Sequence, residues 1–383
     1  MPNELPNNLA ELLAKLDAED IHDYRRYREV RKFFDFKARE KYVPVSATFE
    51  LTPLCNLDCK MCYVHLNREQ LNGASLLTTE QWKDLMRQSV EAGVMFASLT
   101  GGECLTYPGF KELYLYLFSM GIQVSILSNG ILMNDDIIEL FKKYPPALIQ
   151  ITLYGASEDG YEKVTGHRVF SKVVGNLKKL KEANIPFRIA VTPNEFMDDG
   201  VETIHFLAEM GFEFIVNSGI MSPREETGRE VHDANLDTYI EISRAWREVK
   251  GGELSPECDE ESLPSFGGNG ENSDANIGVK CGAGRSTFSI SWKGEMKPCN
   301  LFPCEPQYPL EVGVKKAWEG ITEIAKNFRN PSECEGCKYY YSCKHCAAEH
   351  ATGAPIGQAN PAVCEWTKRM IREGIFKLVE NPD

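Results

Sequence analysis

Three cysteines that lie close together in the sequence are the residues of this chain best suited to chemistry. Cys55, Cys59 and Cys62 are spaced Cys-x3-Cys-x2-Cys and directly follow a strand-like segment. Three thiolates can occupy three corners of a cubane iron-sulfur cluster, which leaves the fourth iron without a protein ligand. A structural zinc loop is the alternative, but zinc sites close with four ligands, commonly as two separated Cys-x2-Cys pairs. The spacing therefore favours a 4Fe-4S cluster with one open iron.

Two further polar motifs follow the next two predicted strands. Thr100-Gly101-Gly102-Glu103 comes after the second strand, where glycines permit a tight turn that leaves room for a ligand. Ser128 and Asn129 end the third strand, and their hydroxyl and amide groups suit sugar hydroxyls. Taken alone, a Gly-Gly-Glu turn and an Asn-Gly turn are both common in proteins.

In this order the three motifs resemble those of the radical S-adenosylmethionine (SAM) enzymes. In that family SAM chelates the open iron, and an electron from the cluster releases a 5'-deoxyadenosyl radical. Glu103 would accept hydrogen bonds from the SAM ammonium group, whose charge needs compensation in a dry pocket. The resemblance implies these site residues: Cys55, Cys59 and Cys62 as cluster ligands, Gly101, Gly102 and Glu103 at the SAM amino group, and Ser128 and Asn129 at its ribose.

Three neighbouring positions carry more specific expectations. The residue before the third cysteine is often aromatic in the family and lies near the adenine, but here it is Met61, whose thioether also packs against flat rings. Tyr63 is a second candidate for that aromatic surface. Cys104 follows Glu103 and is either a small packing residue or, as the sharper hypothesis, a catalytic hydrogen-atom donor or thiolate near the SAM pocket.

The last third of the chain concentrates cysteines in a second pattern. Cys281 is followed by Gly294, and four residues separate that glycine from Cys299. A compact Cys-x2-Cys-x5-Cys-x2-Cys run begins at Cys334, and Cys364 is a distant last cysteine. In this order the residues resemble the SPASM extension of radical SAM enzymes. The family usually has three residues in the final gap of the run, where this chain has two. A zinc ribbon is the alternative, but its pairs need a longer separation. The resemblance implies two auxiliary 4Fe-4S clusters, an outer one held by Cys334, Cys337, Cys343 and Cys364, and an inner one held by Cys281, Cys299 and Cys346 with Cys304 or Cys258 as a possible fourth ligand.

Short β-branched runs alternate with longer amphipathic stretches and should position these motifs. Thr78 and Gln81 predict a capping box at the start of one helix, and Ser171–Asn184 places apolar residues on one helical face. Such alternation indicates an α/β fold with a parallel sheet, either a partial barrel or a doubly wound sheet. The family resemblance implies the partial (β/α)6 TIM-like barrel. Six strands are predicted: Val45–Leu51, Val94–Thr100, Ile122–Ser128, Leu148–Tyr154, Phe187–Thr192 and Glu213–Asn217.

The same pattern suggests a division into domains. Residues 1–44 are predicted to be a helical extension, with Leu9, Leu12, Leu13 and Leu16 at helical spacing. Residues 45–225 form the predicted barrel, and 226–270 a linker or bridging region, since the chain is rich in Gly, Ser, Asn, Asp and Glu from Ser255 onward. Residues 271–383 are the predicted cysteine-rich SPASM domain.

The composition excludes several classes of protein. Among 383 residues, 43% are hydrophobic and 26% charged, as in ordinary globular proteins. The 42 basic and 56 acidic residues give a net charge of -14, whereas nucleic-acid binding needs clustered Lys and Arg. No signal peptide or bilayer-spanning stretch is visible. We therefore expect a cytoplasmic protein with no nucleic-acid or membrane partner, in which the thirteen cysteines are metal ligands rather than disulfides.

The resemblance implies an oxidoreductase or maturase with SAM and three 4Fe-4S clusters as cofactors. Its substrate would be a peptide or small protein, and its electrons would come from an external donor of the flavodoxin or ferredoxin type. The expected product is a thioether or carbon-carbon cross-link, or an oxidised residue, in a ribosomally made peptide. Sulfatase-maturing relatives carry a basic aspartate where this chain has Asn300, and an amide cannot accept that proton.

Three alternatives remain open from the sequence. The first is a peptide epimerase, with Cys104 or Cys258 as hydrogen donor. The second is a dehydrogenase-like radical oxidation of a small molecule. The third is an iron-sulfur electron-transfer protein that performs no radical chemistry and needs no SAM pocket.

Overall fold

A computed structural model describes residues 24–217, 223–224, 227, 236–251, 278–279, 281–343, 346–351 and 354–379, with the backbone alone for residues 24–27. The four leucines of the predicted N-terminal extension, Cys258 and the rest of residues 252–277 lie outside the described residues. Within those ranges, no helix is both long and apolar enough to cross a bilayer.

All six predicted strands are confirmed, and each lies within its predicted limits. Their lengths of three to six residues are common for strands of globular proteins. The strands are β1 Ser46–Glu50, β2 Phe96–Thr100, β3 Gln123–Ser128, β4 Leu148–Leu153, β5 Phe187–Val191 and β6 Phe214–Val216.

The strand order decides between the two predicted architectures. From β1 to β6 each strand pairs in parallel with the next one along the chain, as in the register Ser46 with Phe96 and Ile149 with Phe187. A doubly wound sheet reverses its order part-way, at the point where ligands bind. An unreversed order is that of a barrel, so the partial-barrel expectation is confirmed.

Two strands that we had not predicted extend this sheet beyond β1. Strand β7, Thr287–Ile290, pairs in parallel with β1, and β8, Met296–Lys297, returns antiparallel to β7. The cysteine-rich part of the chain thus enters the same sheet, beside the strand that leads to Cys55. The predicted domain limits themselves stay predictions.

The two faces of the sheet differ in polarity. Phe49 is fully buried and meets Trp82 of the outer layer at 6.0 Å between ring centroids. Side chains alternate along a strand, so the neighbours of these apolar residues face the barrel interior. There, Arg188 Nε donates to Gln150 Oε1 at 3.0 Å, and both residues are half-buried. A complete TIM barrel fills this space with branched apolar residues, whereas this interior is polar.

The helices pack outside the sheet. Within the described residues, the helices before β7 are α1 Tyr24–Lys41, α2 Thr79–Glu91, α3 Phe110–Ser119, α4 Asp135–Lys143, α5 Glu158–Thr165, α6 Phe170–Glu182, α7 Gly200–Glu209 and α8 Leu236–Val249; after β8 follow α9 Pro309–Val312, α10 Val314–Asn327, α11 Ala347–Ala351 and α12 Pro361–Arg372. The capping box at Thr78 and Gln81 is confirmed at the start of α2, and α6 buries the predicted apolar face that begins at Val173.

Helix α8 lies in the region that we had predicted to be a linker or bridge. It contacts α7 so closely that a Cβ on Gly200 would lie 2.3 Å from Ile242 Cδ1. Its other side contacts the residues that follow α12. There, Arg247 Nη2 donates to the carbonyl oxygens of Gly374 and Ile375 at 2.5 and 2.6 Å. This helix therefore connects the barrel to the C-terminal residues.

Candidate active site

The loop that carries the three N-terminal cysteines begins at the end of β1 and lies against the end of α5. The backbone N–H of Asp58 donates to Thr165 O at 3.1 Å, and that of Lys60 donates to Val164 O at 3.0 Å. The last carbonyl groups of a helix have no partner within the helix. The loop supplies the missing donors, so α5 fixes the path of the backbone between the cysteines.

Three N–H groups point at the sulfurs of this loop. The backbone N–H of Leu57 donates to Cys55 Sγ at 3.4 Å, and that of His65 donates to Cys62 Sγ at 3.3 Å. The side-chain amide of Asn129 reaches Cys55 Sγ from the next motif at 3.6 Å. Hydrogen bonds to cysteinyl sulfur are among the factors that set the reduction potential of an iron-sulfur cluster.

The three thiols act on one aromatic residue, Tyr154, which follows β4. Its pKa is raised by burial and, further, by the charges of Cys59, Cys62 and Cys55. Burial also raises the pKa of the Cys55 thiol to about 12. Because metal ligands must be thiolates, metal binding here would displace protons from buried thiols.

The two glycines after β2 let their turn lie flat against the cysteine loop. The N–H of Gly102 donates to Thr52 O at 2.7 Å. A Cβ on Gly101 would lie 2.4 Å from Thr52 O, and one on Gly102 would lie 2.5 Å from Leu54 O. Both atoms belong to the backbone, so a larger residue would displace the loop.

Glu103 is fully buried and joins this turn to the segment after β3. Its Oε1 accepts from the Ser128 hydroxyl at 3.0 Å and from the Leu105 N–H at 3.1 Å, and its Oε2 accepts from the Asn129 N–H at 2.7 Å. Burial raises the pKa of this carboxyl, while these hydrogen bonds oppose the shift. The structure thus brings together two motifs that the sequence only placed in order.

Seven of the eight C-terminal cysteines of the predicted ligand sets fall into two electrostatic groups. Burial raises the pKa of Cys299 to about 12, with smaller contributions from Cys281 and Cys346. Burial likewise raises the pKa of Cys334 to about 12, with contributions from three other thiols. That second group is Cys334, Cys337, Cys343 and Cys364.

The eighth cysteine, Cys304, has different surroundings. Its pKa is raised by burial, lowered by Lys297 and raised by Glu305. It packs against the same small apolar cluster, around Phe302 and Ala325, as Cys281 and Cys299.

Comparison with known proteins gives the family of the barrel. Residues 49–207 match the sequence model of the Radical SAM superfamily. The chain carries a radical SAM domain. It is 28% identical to the sporulation killing factor maturation protein SkfB of Bacillus subtilis, over 78% of this chain and 70% of that protein. The subtilosin biosynthesis protein AlbA of the same species is 25% identical, over 88% and 74%.

Two further proteins are similar to this chain, one in sequence and one in structure. An AdoMet-dependent heme synthase of Methanosarcina barkeri is 24% identical over 80% of this chain and 91% of that protein. Streptococcus suis SuiB bound to S-adenosylmethionine superposes with a TM-score of 0.65 at 17% identity, over 93% of this chain and 85% of that one. The C-terminal cysteines are consistent with a SPASM domain following the radical SAM domain.

Cys104 is packed behind the radical SAM domain's glycine turn. Its side chain is fully buried, and its thiol donates to Leu127 O at 3.3 Å and contacts Glu103 Oε1 at 3.8 Å. Burial raises its pKa well above the ordinary value. These contacts favour the interpretation of Cys104 as a packing residue. Its role as a hydrogen-atom donor stays a prediction.

The two candidates for the adenine surface have different surroundings. Met61 is buried in the main core of the barrel. Tyr63 lies beside Arg224, whose guanidinium carbon is 6.0 Å from the ring centroid. Burial raises the pKa of Tyr63 to about 12, and the charges of both Cys62 and Cys299 add to the shift. The hydroxyl of Tyr63 is therefore influenced both by the N-terminal cysteine loop and by Cys299 of the C-terminal region.

One buried ion pair at the barrel mouth was missed by the sequence analysis. Glu50, the last residue of β1, accepts two hydrogen bonds from Arg224, at 2.8 and 2.6 Å. The side chain of Glu50 is 2% exposed and that of Arg224 19%. A carboxylate that ends an otherwise uncharged strand was the available signal, but its partner lies 174 residues away.

The residues of the radical SAM domain fit an iron-sulfur cluster. Three thiols come from one loop and act on one tyrosine, and N–H donors point at two of the sulfurs. Within the part of the chain that the structure describes, no group of three or more His, Cys, Asp or Glu side chains converges as a single metal ion requires. A cubane needs no such convergence, because each thiolate binds a different iron.

Proposed function

We propose that this chain is a radical SAM enzyme that modifies a ribosomally made peptide. The observation that carries the proposal is the junction of the cysteine loop with the buried Glu103 at the mouth of a barrel with a polar interior. Two relatives are named for maturing a killing factor and for making an antilisterial bacteriocin, and bacteriocins are ribosomally made. That shared class of product supports a peptide substrate.

The chain's own residues would have three tasks at this site. Cys55, Cys59 and Cys62 would hold a 4Fe-4S cluster, which together with SAM supplies a 5'-deoxyadenosyl radical when both are bound. Glu103 would organise the segment after β3 and compensate the positive charge of the SAM ammonium group. The polar interior around Gln150 would hold the substrate away from bulk water.

The C-terminal cysteines would hold two auxiliary clusters. We assign Cys334, Cys337, Cys343 and Cys364 to the outer cluster because their charges act on one another. Cys281, Cys299 and Cys346 form the second such group and would hold the inner cluster, with Cys304 as a candidate fourth ligand from the same apolar cluster. Reducing electrons would come from an external flavodoxin or ferredoxin.

The proposed product is a thioether or carbon-carbon cross-link, or an oxidised residue. Each of these removes two hydrogens from the peptide. Asn300 supports the cross-link over the oxidation made by sulfatase-maturing enzymes, since an amide is no base.

The test is anaerobic reconstitution of the full chain with iron and sulfide, followed by reduction in the presence of SAM and short peptides encoded beside the gene. We expect 5'-deoxyadenosine together with a peptide that has lost two hydrogens. Cys59→Ala should abolish both, whereas the matched variant Cys337→Ala should keep some SAM cleavage and lose the product. Absence of SAM cleavage in the fully loaded wild-type protein would refute the radical chemistry.

A small-molecule oxidation is the second candidate, and the heme synthase relative favours it. In that case the iron-loaded enzyme would cleave SAM without altering any peptide encoded beside the gene. Unchanged mass with deuterium uptake from solvent would instead indicate epimerisation. An electron-transfer protein would form no 5'-deoxyadenosine at all.

A further inference from the structure

We propose that Asn129 raises the reduction potential of the cluster held by Cys55, Cys59 and Cys62. It would act as a positioning residue, through the hydrogen bond from its side-chain amide to Cys55 Sγ at 3.6 Å. This inference rests on the proposed cluster but not on the proposed peptide substrate.

Three hydrogen bonds fix the orientation of the Asn129 side chain. Its Nδ2 donates to Asn56 Oδ1 at 2.7 Å as well as to Cys55 Sγ, and its Oδ1 accepts from the Ile131 N–H at 3.1 Å. An amide has two N–H donors, and both are directed at the cysteine loop. The reverse placement of the amide oxygen and nitrogen would set oxygen against oxygen at Asn56, so the network determines the assignment.

The backbone of Asn129 is fixed as firmly as its side chain. Its N–H donates to Glu103 Oε2 at 2.7 Å, and the residue as a whole is only 6% exposed. The next residue, Gly130, has a φ of +79°, and a Cβ there would lie 2.9 Å from Ile151 Cγ2. The amide therefore cannot turn away from Cys55 without disturbing the end of β3.

The chemical consequence follows from the charge of the cluster. Reduction adds a negative charge that is shared by the cysteinyl sulfurs, so an N–H donor stabilises the reduced form more than the oxidised form. The other donor to Cys55, the N–H of Leu57, belongs to the backbone and does not depend on side-chain identity. Asn129 is thus the described side chain that donates a hydrogen bond to Cys55 Sγ, and its substitution removes that donor.

The experiment is a redox titration, followed by electron paramagnetic resonance, of the reconstituted full-length protein without peptide. The signal that changes on addition of SAM reports the N-terminal cluster. Asn129→Ala removes the donor and should shift its midpoint potential to a more negative value. Asn129→Asp keeps the shape and adds negative charge, so it should shift the potential further in the same direction.

Asn176→Ala is the matched control. This buried amide supports the same turn, by donating to Gly130 O at 2.8 Å and to Ile131 O at 3.2 Å. Its variant should leave the potential at the wild-type value. Unchanged potentials in both Asn129 variants at full iron content, or an equal shift in Asn176→Ala, would overturn the inference. If Asn129→Ala fails to load iron, the near-isosteric Asn129→Asp alone decides.

Discussion

The two cysteine-bearing regions of this chain are built in opposite ways. In the radical SAM domain the three predicted ligands come from eight consecutive residues, and the loop between them is fixed by the carbonyl groups of α5 and by the glycine turn after β2. In the C-terminal region eight cysteines are spread over residues 281–364. The structure around them consists of a two-strand extension, short helices such as α11, and 3-10 turns at Ser332–Cys334 and Tyr340–Ser342.

The two regions also differ in the size of the apolar core beside them, which is larger for the cysteine loop. The cysteine loop belongs to the main core of the barrel, which contains Phe49 and Trp82. Among the described residues, the apolar cluster beside Cys281 and Cys299 has five buried members, which include Phe302. Small cores stabilise a fold weakly, and proteins with such cores commonly depend on metal bonds. The first site is therefore organised by the barrel, and the second should be organised largely by its clusters.

Removal of iron gives the largest effect expected from this comparison. In metal-free protein, β1 to β6 should keep their protection against hydrogen exchange, because the core that buries them consists mainly of apolar side chains such as Phe49 and Trp82. Segments 281–304 and 332–364 should exchange far faster than in the loaded protein. Hydrogen-exchange mass spectrometry of the two forms measures both. Equal protection of the C-terminal segments with and without iron would show that they fold without clusters.

The junction between the two regions offers a smaller test. The charges of Cys62 and Cys299 both act on Tyr63, and Arg224 of the pair Glu50–Arg224 lies beside its ring. Glu50→Gln should remove the carboxylate that accepts two hydrogen bonds from Arg224 and cost about 2–4 kcal/mol of unfolding free energy, near the range for breaking a buried pair. Denaturant unfolding of iron-loaded protein measures this.

An exposed ion pair serves as the control for that variant. Lys179 and Asp135 lie 2.6 Å apart, with side chains 48% and 82% exposed. Asp135→Asn should change the unfolding free energy by less than about 1 kcal/mol. A similar small effect of Glu50→Gln would mean that the barrel mouth does not depend on its buried pair.

The sequence was sufficient for those parts of the molecule that local patterns determine. Six strands followed from β-branched runs, and the cysteine loop and the Gly-Gly-Glu turn followed from their spacing. The pairing of β7 with β1 was missed, because a four-residue strand carries little periodic signal. Glu50 with Arg224 and Asn129 with Cys55 were missed because they join residues distant in the chain, whose meeting depends on how the strand ends are arranged around the barrel mouth.

The smallest expected effect tests how closely the barrel itself determines the cysteine loop. In Gly102→Ala the new Cβ would lie 2.5 Å from Leu54 O and 2.6 Å from Pro53 O. The loop must move to relieve these contacts, at a cost of about 1–3 kcal/mol, as in other overpacked sites. We expect the SAM-responsive cluster signal to weaken while the C-terminal clusters keep theirs, as measured by electron paramagnetic resonance with and without SAM.

Gly175→Ala separates this loop displacement from a general effect of replacing glycine. Gly175 lies within α6, and nothing lies within 4 Å of the position that its Cβ would take. Alanine favours a helix over glycine by about 1 kcal/mol, so this variant should be slightly more stable than the wild type and keep every cluster signal. If Gly102→Ala also kept its full SAM-responsive signal, the loop would be set by its own cysteines, and the contrast between the two regions would lose its basis.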